Sequence, residues 1–144
     1  MAVLSSETLH ATAVAIDGRA VLLEGASGVG KSDLALRLID RGAVLVSDDY
    51  TLLVRRGDAL LARAPDAIRE RIEVRGLGIV AMPSVDDVAV ALIVRLGGEP
   101  ARLPERRVRR IAGVAVRELS FDAAFASTPI KIEWALRQPD ATPA

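Results

Sequence analysis

Eight residues, "GASGVGKS" at positions 25–32, carry the most legible chemistry of this chain. Gly25, Gly30, Lys31 and Ser32 satisfy the pattern G-x-x-x-x-G-K-[ST], with Ala26, Ser27, Gly28 and Val29 between them. Glycines let the backbone curl until successive N–H groups, with the start of a following helix, point at phosphate oxygens. Lys31 would neutralise the β- and γ-phosphates of ATP, and the Ser32 hydroxyl would ligate Mg²⁺. A chance match in a chain of this length is expected on the order of once in 200 sequences. The alternative is a glycine turn that caps an ordinary helix. A triphosphate site also needs an acid at the end of a neighbouring strand, and Asp48 and Asp49 follow the next apolar run. Two adjacent carboxylates repel unless a cation or a proton relieves them, which points to different jobs, one near the metal and one near the attacking group. The competing reading is that they cap a turn.

Phosphate chemistry of this kind needs an apolar strand before the loop and an amphipathic helix after it. "TAVAIDGRAVLLEG" supplies two β-rich runs around Asp17-Gly18, so strands are predicted at Ala11–Ile16 and over residues 19–23. In "KSDLALRLIDRG" Leu34, Ala35, Leu38 and Ile39 share one helical face, and Gly42 is placed to stop the helix. The apolar run 43–46 reads as a buried parallel strand, completing a βαβ unit. A hairpin is predicted to turn at Arg56-Gly57-Asp58; that tripeptide resembles an adhesion motif, but the turn reading is preferred. Next come a short helix near Pro65, a loop broken by Gly76 and Gly78, a strand over 88–94, a polar loop "EPARLPERRVRR", and a strand over 111–116. "KIEWAL" reads as helix.

With 144 residues the chain suits one domain, expected over 1–136, with a flexible Pro-containing tail over 137–144. Half the residues are apolar, and 19 basic residues balance 19 acidic ones, so no global charge draws the chain to nucleic acid or an anionic membrane. Without cysteine there are no disulfides or thiolate metal sites, and one histidine is little for a zinc site. The longest apolar run, seven residues over 88–94, is far below the roughly 20 that span a bilayer. No secretory leader is visible, so a cytoplasmic protein is expected. The basic residues over 102–110 have no interleaved aromatic and read as a solvated loop or a docking surface for an acidic partner rather than an RNA site.

The segments "GASGVGKSDLALRLIDRGAVLVSDD", "ARAP" and "IEVRGLGIV", in this order and spacing, resemble the catalytic domain of the HPr kinase/phosphorylases. The loop alone marks many unrelated nucleotide-binding proteins, whereas the run from Glu73 to Ile79 resembles this family's own signature. The resemblance extends from about Leu9 to Met82. It implies an α/β P-loop nucleotide-binding core of the HPr kinase / phosphoenolpyruvate carboxykinase type, a mixed sheet with flanking helices. Members transfer phosphate from ATP, or in some cases pyrophosphate, to a serine of HPr, the phosphocarrier of the sugar phosphotransferase system; they also catalyse phosphorolysis of the phosphoserine.

By that resemblance Asp48 matches the carboxylate that takes the serine proton, Asp49 its neighbour at the metal and phosphate, and Glu73 the signature acid credited with Mg²⁺. His10 matches a histidine shortly before the phosphate-loop strand; outside the family it would read as structural. Arg75, beside two glycines, could reach a phosphate or the protein substrate, or be a solvated surface arginine. Lys131 after Pro129 would stand in for an arginine of the longer members, although the two cations differ in phosphate geometry. The chain resembles the short form of the family, so the hexamer of long members is not implied and a homo-oligomer stays open. Two other functions compete with HPr kinase: an ATP-sensing module without efficient transfer, and a P-loop kinase for a small metabolite.

Overall fold

The computed structural model describes residues 6–138, which contain eleven strands and two α-helices. β1 (Ser6–Leu9) is an exposed edge strand. β2 (Ala11–Ile16) is buried along its whole length, so both of its faces must be apolar or satisfied. Period-two alternation sends Ala11, Ala13 and Ala15 to one core, and Val14 and Ile16 to the other. β3 (Arg19–Glu24) pairs with β2 antiparallel from Ala11↔Glu24 to Ile16↔Arg19, across a turn in which Asp17 and Gly18 both have positive φ. α1 (Lys31–Asp40) buries Leu34, Ala35 and Leu38 against the Val14/Leu23 face; Gly42, at φ 111°, lets the chain turn away.

β4 (Val44–Ser47) differs from expectation. It does not pair parallel with the phosphate-loop strand; β2 lies between them and pairs antiparallel with both. A hairpin partner already occupies the edge of β3, so the crossover through α1 lands one strand further out.

β5 (Thr51–Arg56) and β6 (Ala59–Arg63) form the predicted hairpin. A single 3-10 turn (Asp66–Ile68) follows. The glycine-marked signature is then not a loop but a separate two-stranded sheet, β7 (Arg71–Val74) with β8 (Gly78–Ala81). Gly76 and Gly78, at φ 96° and 95°, supply its turn rather than break it.

β9 (Val88–Leu96) is the seam of the main sheet. It runs parallel to β3; on its other side its first residues meet β6 and its last meet a parallel strand, β11 (Val114–Phe121). β10 (Val108–Ile111) pairs with β11. Half of the arginine-rich run predicted as loop is therefore strand, and the turn falls at Ala112-Gly113. α2 (Thr128–Arg137) closes the α1 face with Ile132, Ala135 and Leu136. Arg137, assigned to the tail by sequence, is its last helical residue and lies over the Trp134 ring; positions 139–144 of that tail lie outside the described residues.

The main sheet thus runs β1-β5-β6-β9-β3-β2-β4 with β10 and β11 attached at β9. Leu22 and Leu23, adjacent on β3 and both fully buried, enter opposite cores. Each such leucine is worth about 1.5–3 kcal/mol, which fixes the strand whose end carries the phosphate loop. Among the described residues no helix is long and apolar enough to cross a membrane.

Candidate active site

The loop between β3 and α1 needs its glycines for stated reasons. A Cβ at Gly25 would lie 2.6 Å from Val29 Cγ1 and 3.2 Å from the Leu96 carbonyl oxygen. At Gly30, φ is 108° and a Cβ would meet that of Ala123 at 3.2 Å. Gly30 is also the N-cap, and no side chain caps the first turn of α1. Its N–H groups therefore remain available to an anion. Lys31 is 5% exposed and donates to the carbonyls of Gly25 (2.7 Å) and Ala26 (3.2 Å), so its ammonium is stored against the loop.

β4 delivers the two acids to the same place, and they are not equivalent. Asp48 is 8% exposed and accepts from Ser32 Oγ (2.6 Å), Thr12 Oγ1 (3.2 Å) and the Glu73 N–H (2.9 Å). Asp49 is half exposed; its Oδ1 lies 2.8 Å from His10 Nε2 and 3.9 Å from Lys31 Nζ. The His10 ring stacks on Tyr50 with centroids 4.9 Å apart, which fixes its plane. One carboxylate is thus held from three sides, while the other stands between an imidazole and the phosphate-loop cation.

The β7–β8 hairpin supplies the opposite wall. Ile72, fully buried, anchors it in the α1-side core, and Glu73, Arg75, Gly76 and Gly78 line a cleft of about 750 Å³ with residues 27–32, Asp48 and Asp49. The hydroxyl of Ser32 and the carboxylates of Asp48, Asp49 and Glu73 are hard oxygen donors, and this set fits Mg²⁺. Among the described residues no three acidic or imidazole groups would hold a metal unaided; Mg²⁺ in nucleotide sites takes one or two protein groups and completes its shell with phosphate and water.

Most of the residues predicted from sequence meet here. Gly25 and Ala26 form the base of the loop rather than the cleft wall, and His10 stands behind the cleft, in contact with Asp49. Lys131 does not join them. It projects from α2 over the Phe125 ring, 5.3 Å from its centroid, into a separate groove with Trp134 and Leu103. The helix that carries it turns Ile132, Ala135 and Leu136 toward α1, and Lys131, on another side of the helix, is not among the residues that line the phosphate-loop cleft.

Sequence reasoning missed Arg37, which lines the cleft. It donates to the carbonyls of Ala123 and Phe125 and to Asp33, holding residues 123–125 against the loop. Its i,i+4 spacing from Asp33 was the available signal. Thr12, a lone polar residue in an apolar strand, was the other.

Comparison with known proteins places the chain in a family. The family model described as HPr Serine kinase C-terminal domain matches residues 2–89. The HPr kinase/phosphorylase of Burkholderia lata is 35% identical over 144 aligned residues, covering 90% of this chain and 45% of that protein. That of Mycoplasmopsis pulmonis is 43% identical over 77 residues, 54% of this chain and 25% of that protein. The chain therefore spans less than half the length of these curated relatives. The solved Hpr(Ser) kinase/phosphatase from Coxiella burnetii superposes with a TM-score of 0.79 at 31% identity, over 91% of this chain and 94% of that one. The expected α/β mixed sheet with flanking helices is the fold of that protein.

Proposed function

We propose that this chain, which belongs to the HPr Serine kinase C-terminal domain family, transfers the γ-phosphoryl group of Mg·ATP to a serine of the phosphocarrier protein HPr in the cytoplasm. The observation that carries the reading is the 2.6 Å bond from Ser32 Oγ to Asp48 Oδ1. It brings the phosphate-loop hydroxyl and a strand-end acid together, as two groups that share one magnesium-nucleotide need to be.

Phosphoryl transfer asks a protein for positioning and charge neutralisation more than for covalent chemistry. The backbone N–H groups of the loop receive the phosphates, and Lys31 exchanges its loop carbonyls for phosphate oxygens. Ser32, Asp48 and Glu73 would hold Mg²⁺, which when bound withdraws charge from the phosphate oxygens. Asp49 faces the open cleft and is oriented by His10, so it is the better placed acceptor of the serine proton; this exchanges the roles of Asp48 and Asp49 expected from the family. Arg75 on the cleft wall meets the transferring phosphate or the acceptor. Leu77 and Ile79, 78% and 67% exposed on the same hairpin, present an apolar tip that suits a protein acceptor rather than a small metabolite.

Intact-mass analysis of HPr from the same organism, incubated with the chain and Mg·ATP, tests the reading. One added phosphate on serine, absent with Lys31→Ala, is the expected result. ATP binding without a phosphoprotein would instead leave an ATP-sensing module, and ATP turnover without protein acceptor a metabolite kinase. Incubating the phosphoprotein with inorganic phosphate and assaying pyrophosphate reads the reverse reaction.

A further inference from the structure

The turn that carries both acids is held under tension by buried hydroxyls. Asp49 has φ 66°, a left-handed conformation that costs a non-glycine residue about 1 kcal/mol. The Tyr50 N–H closes back on the Asp48 carbonyl at 2.7 Å, a tight three-residue turn. Ser47, 1% exposed, donates its hydroxyl to the Tyr50 carbonyl, and Thr51, fully buried, donates to the Ala11 carbonyl at 2.8 Å. Thr12, also fully buried, touches the acids themselves. Its Oγ1 accepts from the Asp49 N–H at 3.0 Å and lies 3.2 Å from Asp48 Oδ1.

These two contacts determine where the Thr12 proton points. A hydroxyl has one hydrogen, and an amide N–H can only donate, so the hydrogen goes to Asp48. The β-branched side chain is stiff at χ1 and sits within a strand paired on both sides, so the hydroxyl is set before any ligand arrives. Valine has the same shape and would suit the apolar positions 14 and 16 that follow on this face, yet the chain places a hydroxyl here.

We infer that Thr12 is a positioning residue that sets Asp48 and Asp49 relative to each other, by donating to the side chain of one and accepting from the backbone of the other. The inference rests on the reading of the cleft as a phosphoryl-transfer site, and it names a residue outside the phosphate loop, the acid pair and the hairpin signature. Local strain at a functional turn persists only where the surroundings over-determine it, and Thr12 is the one of the three clamping hydroxyls that addresses both acids.

Thr12→Val and Thr12→Ser test it. Removing a group that orients a reacting one costs about 10–100-fold in activity. In Thr12→Val the turnover number for HPr phosphorylation is expected to fall by that factor, with KM for Mg·ATP within about threefold of wild type; Thr12→Ser is expected to restore most of it. The ring ¹⁵N resonances of His10, the sole histidine, should shift in Thr12→Val and return in Thr12→Ser, because Asp49 moves relative to the imidazole. A Thr12→Val enzyme with wild-type turnover and unchanged His10 resonances overturns the inference. Should Thr12→Val not fold, hydrogen exchange of the Asp49 amide in the wild-type chain decides: strong protection supports the bond, exchange at a free-peptide rate refutes it. If the wild-type chain phosphorylates nothing, the kinase reading fails, while the His10 and amide measurements still judge Thr12.

Discussion

Replacing Arg109 with methionine should destabilise the fold by about 2 kcal/mol at neutral pH, and the deficit should shrink in acid. Arg109 on β10 reaches Glu24, the last residue before the phosphate loop, through two bonds of 2.7 and 2.6 Å. It also donates to Glu118 on β11 at 3.1 Å. The three side chains are 28%, 23% and 11% exposed. Breaking a fully buried pair costs about 3–5 kcal/mol, and an exposed pair is worth about 0–1 kcal/mol, so a mostly buried fork falls between. Methionine keeps the stem but removes the fork, leaving Glu24 and Glu118 with Arg95, 3.5 Å from Glu118 and half exposed, as their remaining cation. About 2 kcal/mol multiplies the unfolded fraction roughly 30-fold and, with a typical slope of about 2 kcal/mol per molar, lowers the urea midpoint by about 1 M.

The pH arm fixes the cause. The Arg109 hydrogen bonds, opposed by burial and aided by the charges of Arg109 and Arg95, hold the Glu24 carboxyl below its ordinary value of 4.5. A lowered folded-state value means that the stabilisation is complete above 4.5 and is lost as pH falls through the folded value. Arg109, pushed above its already high range by Glu24 and Glu118, stays charged throughout. Urea titrations followed by circular dichroism from pH 7 to pH 3 should show the wild-type and Arg109→Met midpoints converging below about 4.5. A gap under about 0.5 kcal/mol at pH 7, or one that persists undiminished at pH 3, would refute the reasoning.

Lys31→Ala should abolish calorimetrically detectable Mg·ATP binding, since it removes the loop's own cation; wild-type affinity would sink the phosphate-loop reading. Asp49→Asn should lower HPr phosphorylation by about 100-fold with Mg·ATP affinity nearly kept, and Asp48→Asn should weaken the magnesium-dependent affinity itself; the opposite pattern would return the two acids to their family roles. Gly30→Ala combines a φ of 108° with a 3.2 Å approach to Ala123, so its melting temperature should drop by an amount equivalent to about 1–3 kcal/mol. An unchanged melting temperature would show that the loop relaxes freely.

The loop, α1 and the acid pair were legible because their residues answer to local physics. Gly25, Gly30 and Lys31 stand at fixed spacing, and Leu34, Ala35 and Leu38 repeat along one helical face. Where partners come from far along the chain, the reading failed. The run 43–46 read as the strand that completes a βαβ unit; it does point the same way as β3, but nothing local says that β2 lies between the two. "ERRVRR" read as loop, although Val108 to Ile111 pair with β11, and the ion pair that half-buries Arg109 on that strand reaches Glu24, 85 positions away. Gly76 and Gly78 read locally as breakers and are instead the turn of a hairpin. Motif spacing points Lys131 to the phosphate site, whereas here it lies over Phe125 in another groove, a placement that only the packing of α2 sets. In Thr12 the sequence held a signal, a hydroxyl among alanines and valines, whose meaning depended on two acids 36 and 37 residues later.

The link from the hairpin to Asp48 is made by the main-chain N–H of Glu73, not by its side chain. Alanine scanning at position 73 would erase the carboxylate and leave the tether intact, so the scan would credit the residue with metal binding alone. Almost every codon change at this position preserves the donor; proline is the exception. The wall of the cleft and the acid it braces are therefore joined by a bond that substitution on the hairpin side scarcely touches, and an amide-to-ester replacement at residue 73 is the surgery that would sever it without altering Asp48.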